Sequence, residues 1–98
     1  MSDKVSLLHD AELESDESVD WYEERVSGLG LDFAHQVSLA LNCISSMPLA
    51  HAKVFKDVRK PLVSRFPFLI YYQLEGDEVV VISVFHTSRD SDQWQSRV

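Results

Sequence analysis

Cysteine is almost absent from the chain. Cys43 stands alone, so no disulfide can close within the sequence and nothing in it depends on an oxidising compartment. Long apolar runs are missing too. The longest are VVVISVF (79–85) and FLIYY (68–72), far below the roughly 20 residues that a membrane-spanning helix requires. The opening MSDKVSLLHDAELE has no apolar core behind a basic leader, so no secretory leader is expected. Three glycines and three prolines punctuate the chain without dominating it, and neither an internal repeat nor a low-complexity tract is visible. A cytoplasmic protein is the economical expectation.

Basic charge is the next scarcity: nine Lys and Arg stand against sixteen Asp and Glu, for a net −7. The imbalance is local. Residues 1–35 hold ten acids against Lys4 and Arg25, giving −8, whereas residues 36–98 hold seven bases against six acids, giving +1. Within the second part KVFKDVRKPLVSR (53–65) carries Lys53, Lys56, Arg59, Lys60 and Arg65 against Asp57. General affinity for nucleic acid rests on many Lys and Arg contacts that release counterions, and the acidic balance argues against it. One basic strip remains for a local contact, although a solvated charged face is the plainer reading of it.

What is present suffices for one domain. Ninety-eight residues at 45% hydrophobic content can build a single core but not two. Val5–Leu8 reads as a first strand. Asp10 offers an N-cap oxygen to a helix from Ala11 to about Val26, with acids concentrated early, where the helix dipole favours them. Ser27-Gly28-Leu29-Gly30 breaks that helix. Asp32 can cap a second one, Phe33 to about Ser46, in which Phe33, Val37, Leu41 and Ile44 recur at helical spacing as a buried stripe, and Pro48 closes it. The period then changes. Val58–Phe66, Phe68–Leu74 and Glu78–Phe85 are rich in Val, Ile, Phe and Tyr, as strands are, and Glu75-Gly76-Asp77 marks a tight turn. VVVISVF hardly alternates, so both of its faces are expected to be covered. Pro61 lacks a donor and points to an edge or a bulge. The expected architecture is α+β: an N-terminal strand, a helical hairpin and an antiparallel three-strand meander, with the helices on one face of the sheet. It forms a single domain over 1–98, with 1–4 and 95–98 as loose ends.

Three segments in this order, VDWYEERVSGLGLDF (19–33), KDVRKPLVSRFPFLIYYQLEGDEVVVISVFHTSRD (56–90) and Trp94, resemble the toxins of the RelE/ParE superfamily. These are the poison halves of bacterial type II toxin–antitoxin modules, often described as plasmid-stabilisation proteins. The likeness runs from Val5 to Trp94 and implies the same strand–helix–helix–three-strand fold. It also implies a cognate antitoxin as partner, a hetero-oligomeric complex with it, and no cofactor.

The superfamily has two branches. One cleaves messenger RNA on the ribosome with an arginine on the strand matching Phe68–Leu74 and a tyrosine, histidine or second arginine near the C-terminus. A 2′-hydroxyl must lose its proton there and a crowded phosphate needs cationic help. The other binds and inhibits DNA gyrase and lacks that set. In this sequence Leu69 stands where the arginine is expected, and leucine can do neither task. Trp94 stands near the tyrosine position, and an indole offers only an N–H donor. Lys60, His86 and Arg89 are the candidates left for a nuclease, so whether the chain is an enzyme stays open. The resemblance favours a ParE-like gyrase inhibitor. A ribosome-dependent endoribonuclease and a non-toxic relative that keeps only the antitoxin grip are the alternatives.

The stretch VFHTSRDSDQW (84–94) concentrates the candidate chemistry. His86 is able to titrate near neutrality, but a strand-end histidine bonded to its neighbours is the plainer reading. Ser88 has no helix start or glycine elbow behind it, and Arg89 and Asp90 are expected to orient the tail. His9, His35, His51 and His86 show no metal-ligand spacing, so no metal is expected. The stretch therefore reads as a binding surface. Expected partner-binding residues are Trp21, Tyr22, Lys56, Arg59, Lys60, Arg65, Arg89 and Trp94, since Trp, Tyr and Arg are favoured at interfaces. Of adjacent Trp21 and Tyr22, one can pack while the other borders a groove, although packing between helix and sheet is the default reading for both. Tyr71 and Tyr72 are expected to face opposite sides of their strand.

Overall fold

A computed structural model describes residues 4–51, 53–63, 65–87 and 97. The order is β1 (Lys4–Leu7), α1 (His9–Arg25), α2 (Leu29–Ser46), β2 (Lys53–Phe55), β3 (Val58–Arg59), β4 (Leu62–Val63), β5 (Phe68–Glu75) and β6 (Glu78–His86). One sheet runs β1-β6-β5-β3-β2, with β4 also paired to β5. β1 lies parallel to β6, Lys4 opposite Glu78, and the remaining pairs are antiparallel. The expected α+β class and the helical hairpin are both observed. No described helix is long and apolar enough to cross a membrane.

Both helices begin earlier than their capping signals predict, for tertiary reasons. Leu8, not Asp10, is the N-cap of α1, and no side chain caps it. The Leu8 N–H donates to the Val81 carbonyl at 2.9 Å and its own carbonyl accepts from Glu12 at 3.0 Å, so pairing with β6 fixes the first turn. At α2 the cap comes from the preceding helix. Glu23 accepts the Gly28 and Gly30 N–H groups at 2.8 and 3.0 Å, satisfying donors that a helix start leaves open. Asp32 falls inside the first turn. Gly28 adopts φ +89°, a left-handed conformation that costs other residues about 1–2 kcal/mol.

Gly30 serves the hairpin differently. A β-carbon there would lie 2.5 Å from the Val19 carbonyl oxygen and 2.9 Å from the Glu23 Cβ. Its missing side chain is what lets α2 lie against α1. The stripe behaves as expected, with Phe33, Val37 and Ile44 buried and Leu41 half-buried.

The meander is less regular than predicted. Val58–Phe66 is not one strand but β3 and β4, parted at Pro61, which has no N–H for a ladder and whose carbonyl accepts the Ile70 N–H at 3.1 Å. An unexpected strand, β2, pairs with β3 around a turn in which Lys56 has φ +50°. Lys4 lies in β1 and Arg97 is bonded to α1 and β6, so neither belongs to a loose end.

Every residue from Val79 to Phe85 is buried, as the lack of alternation predicts. Phe68, Ile70 and Tyr72 join Phe33, Val37, Ile44, Val79, Val81 and Val84 in the helix-side core. Tyr71, Ile82, Phe85 and Val58 form a second cluster with Leu8 and Leu69 on the opposite face. Tyr71 and Tyr72 thus face opposite sides. The Tyr72 hydroxyl also donates to the Pro48 carbonyl at 2.6 Å, tying the loop after α2 to the sheet.

Gly30→Ala should lower stability by about 1–3 kcal/mol, the usual cost of forcing atoms into a packed contact, although alanine is the better helix former. Chemical denaturation checks this, with Tyr72→Phe expected to cost about 1 kcal/mol for its hydroxyl bond.

Candidate partner-binding groove

The sheet register slips once in its longest pair. Tyr71 faces Ser83 and Tyr72 faces Val81, leaving Ile82 without an opposite residue. Such a bulge leaves backbone groups outside the ladder, and α1 supplies what they need. Glu14 Oε1 accepts the Ser83 hydroxyl at 2.9 Å and the Val84 N–H at 3.1 Å. Arg97 grips the same carboxylate with Nη1 at 3.0 Å and Nη2 at 3.2 Å, and Nη1 also donates to the Ile82 carbonyl at 3.0 Å. The Arg97 Nε lies 3.5 Å from Asp10. Forked guanidinium–carboxylate pairs of this kind are among the stronger polar contacts.

Beside this knot, α1 and the β5–β6 end of the sheet enclose a groove of about 430 Å³ lined by Glu14, Glu17, Ser18, Trp21, Tyr22, Phe68, Val84, Phe85 and His86. The two neighbouring aromatics of α1 divide, although packing is the default reading for both. Tyr22 is buried and its ring packs on Phe33 and Phe66 at 5.3 and 4.9 Å. Trp21 is 49% exposed, and the Arg25 guanidinium sits 3.5 Å above its ring, a cation–π arrangement. His86, half-buried at the end of β6, meets Phe68 edge-on at 5.2 Å.

The described basic residues serve different ends. Arg59 donates to the Leu49 carbonyl at 3.2 Å and also to the His51 carbonyl, so it pins the loop between α2 and β2. Lys53 pairs with Asp57 at 3.2 Å. Lys56, Lys60 and Arg65 are exposed on turns at the β2–β3–β4 side. Lys60 and His86 are separated by β5, and Leu69, the position matching the nuclease arginine, is packed into the second apolar cluster. Arg89 and Trp94, with Ser88 and Asp90, lie outside the described residues. Among the described residues no group of three His, Cys, Asp or Glu side chains is placed to hold a metal ion.

Sequence reasoning passed over Glu14, Ser83 and Arg97. The available signal was Glu14 itself, an acid three residues beyond Ala11 on the side of α1 that also carries Ser18 and Tyr22 toward the sheet. A carboxylate on an inward face needs partners.

No family profile matches the chain, and no curated protein sequence matches it. Among solved structures, a chain of the chromosomal ParDE toxin–antitoxin system from P. aeruginosa superposes with a TM-score of 0.72. The match spans 85% of this chain and 94% of that one, at 16% identity. The fold is ParE-like. On that ParE-like frame the groove and the bulge sit at the open side of the α1–sheet contact, away from the β2–β3 edge.

Burial raises the Tyr22 hydroxyl above its ordinary value of 10.0. Burial raises Tyr72 as well, with the Arg59 guanidinium acting against the shift. The fold therefore favours both neutral phenols. Their contribution is complete below about pH 10 and is lost as pH rises through the raised folded values. Thermal melts should fall along that alkaline arm, and Tyr22→Phe should flatten it while leaving neutral-pH stability almost unchanged. Glu14→Ala should cost about 1–3 kcal/mol by stranding Arg97 and the bulge donors. Arg97→Ala should cost less, because Ser83 and Val84 still satisfy the carboxylate. A double-mutant cycle in denaturant measures the coupling between the pair.

Proposed function

We propose that the protein is the toxin of a ParE-like type II toxin–antitoxin pair, neutralised by a cognate antitoxin in a hetero-oligomeric complex and inhibiting growth by binding DNA gyrase. The observation that carries this reading is the ParE-like fold, which matches nearly the whole of a ParDE-system chain. The sequence resemblance over residues 5–94 points the same way. The gyrase branch is preferred because Leu69 lies in an apolar cluster, where a leucine has no means of stabilising phosphate, and because Lys60 and His86 stand on opposite sides of β5. The protein then acts as a binder and not as an enzyme, in the cytoplasm of a bacterium and without a cofactor.

The antitoxin is expected to fold on the toxin as it binds, using the helical hairpin, the exposed sheet edge and the groove beside Trp21 and Tyr22. Backbone groups along β1 and β2, the strands at the two ends of the sheet order, suit strand addition by an extended segment. Lys56, Lys60 and Arg65 supply a basic approach for an acidic stretch of the antitoxin or for a target. Arg89 and Trp94 are assigned to the same binding role on the resemblance.

One specific feature favours a second reading, a relative that retains antitoxin binding without toxicity: the acidity of residues 1–35, unsuited to phosphate-rich targets. Supercoiling by purified gyrase, with this protein titrated in alone and as its antitoxin complex, separates the alternatives. The proposal expects dose-dependent inhibition that the antitoxin relieves. A folded, antitoxin-competent sample without effect on gyrase would refute it, and ribosome-dependent message cleavage would then distinguish a nuclease from an inactive relative.

A further inference from the structure

The groove beside the bulge has the chemistry of a receptor for a positive charge. Its α1 wall carries eight acids (Asp10, Glu12, Glu14, Asp16, Glu17, Asp20, Glu23 and Glu24) against Arg25. Two of these, Glu14 and Glu17, line the cavity together with Trp21, Phe68 and Val84. Glu14 is already matched by Arg97. Glu17 is exposed and makes no hydrogen bond or ion pair among the described residues. The chain displays the preferred ligand twice over. One of its own guanidinium groups lies 3.5 Å above the Trp21 ring, and another forks onto Glu14 at 3.0 and 3.2 Å. Aromatic walls and carboxylates of this kind suit the planar, weakly hydrated guanidinium better than an ammonium.

We propose that this groove takes an arginine side chain from an extended segment of a partner polypeptide, with Glu17 as counter-charge and Trp21 as stacking surface. The apolar residues flanking that arginine lie against Phe68 and Val84. A cavity of about 430 Å³ accommodates one long side chain and its neighbours. The same acids repel nucleic acid and acidic peptides, so the segment seated here is basic, whatever the charge of the stretch that meets Lys56, Lys60 and Arg65. The partner's identity as an antitoxin rests on the function proposed above, whereas the ligand chemistry rests on the groove alone.

The test is an NMR titration of the full chain with a blocked Ala-Leu-Arg-Leu-Ala peptide and with its citrulline counterpart, which keeps the shape and loses the charge. The arginine peptide should shift the Trp21 indole and the amides of Val84, Phe85 and His86. The citrulline peptide should bind about fivefold more weakly, in line with one exposed ion pair plus a cation–π contact. Glu17→Gln, at an exposed position that leaves the fold intact, should remove most of that difference. Equal affinity for the two peptides, shifts confined to another surface, or indifference to Glu17→Gln would each overturn the proposal. A negative gyrase result leaves the peptide result untouched, and the converse holds as well, so the two ideas fail separately.

Discussion

One carboxylate holds the two halves of the molecule together. Glu14 projects from α1 onto the point where β6 slips its register, and it satisfies the Ser83 hydroxyl and the Val84 N–H that the bulge leaves without ladder partners. Arg97 then neutralises it and takes the Ile82 carbonyl as well. A buried polar backbone without partners costs more than a hydrogen bond gains, so the bulge is tolerable only because α1 is in place. The bulge in turn lets Val81 and Val84 both face the helices while Ile82 faces the other way. Remove the carboxylate and the alternation of β6 loses its reason.

The first helix contributes little apolar surface of its own to this arrangement. α1 buries only Ala11 and Tyr22, and its remaining inward positions are polar or half-buried. The hairpin is held instead by close backbone approach at Gly30, by the Glu23 cap across the turn, and by an aromatic cluster of Tyr22, Phe33, Phe66 and Phe68. Such a helix leaves most of its circumference to charge. That is why one molecule can present an acidic groove along α1 and exposed lysines at the opposite sheet edge without either disturbing the core.

Periodicity carried the fold a long way. The α2 stripe, the β5–β6 hairpin around Gly76, the two-sided burial of VVVISVF and the opposite facing of Tyr71 and Tyr72 are all local patterns imposed by burial, and all were legible. The helix starts were not, because Leu8 is fixed by Val81 and the α2 cap arrives from Glu23, seven residues before the Gly30 N–H that it accepts. β2 and the split at Pro61 were hidden because two- and three-residue strands carry too few positions to show alternation. Of the candidate site, the adjacency of Trp21 and Tyr22 was readable, but not that Tyr22 packs while Trp21 stays exposed. The Glu14–Arg97 knot was not, since its partners lie 83 residues apart and no local pattern links them. Arg59 reads as part of a basic strip, and no local pattern showed that its Nη1 also donates to loop carbonyls.

The parallel pairing of β1 with β6 has a consequence for biosynthesis. Val5 and Ser6 find their ladder partners at Val79 and Val80, so β1, made earlier, waits for β6 to follow it off the ribosome. Until β6 has emerged, α1 has no sheet to lie on and its inward carboxylate has nothing to receive. Long-range pairings of this kind close late, because loop entropy must be overcome before their contacts form. The groove and the completed sheet therefore come into existence together, once β6 has been made, and a nascent chain stopped before β6 presents neither.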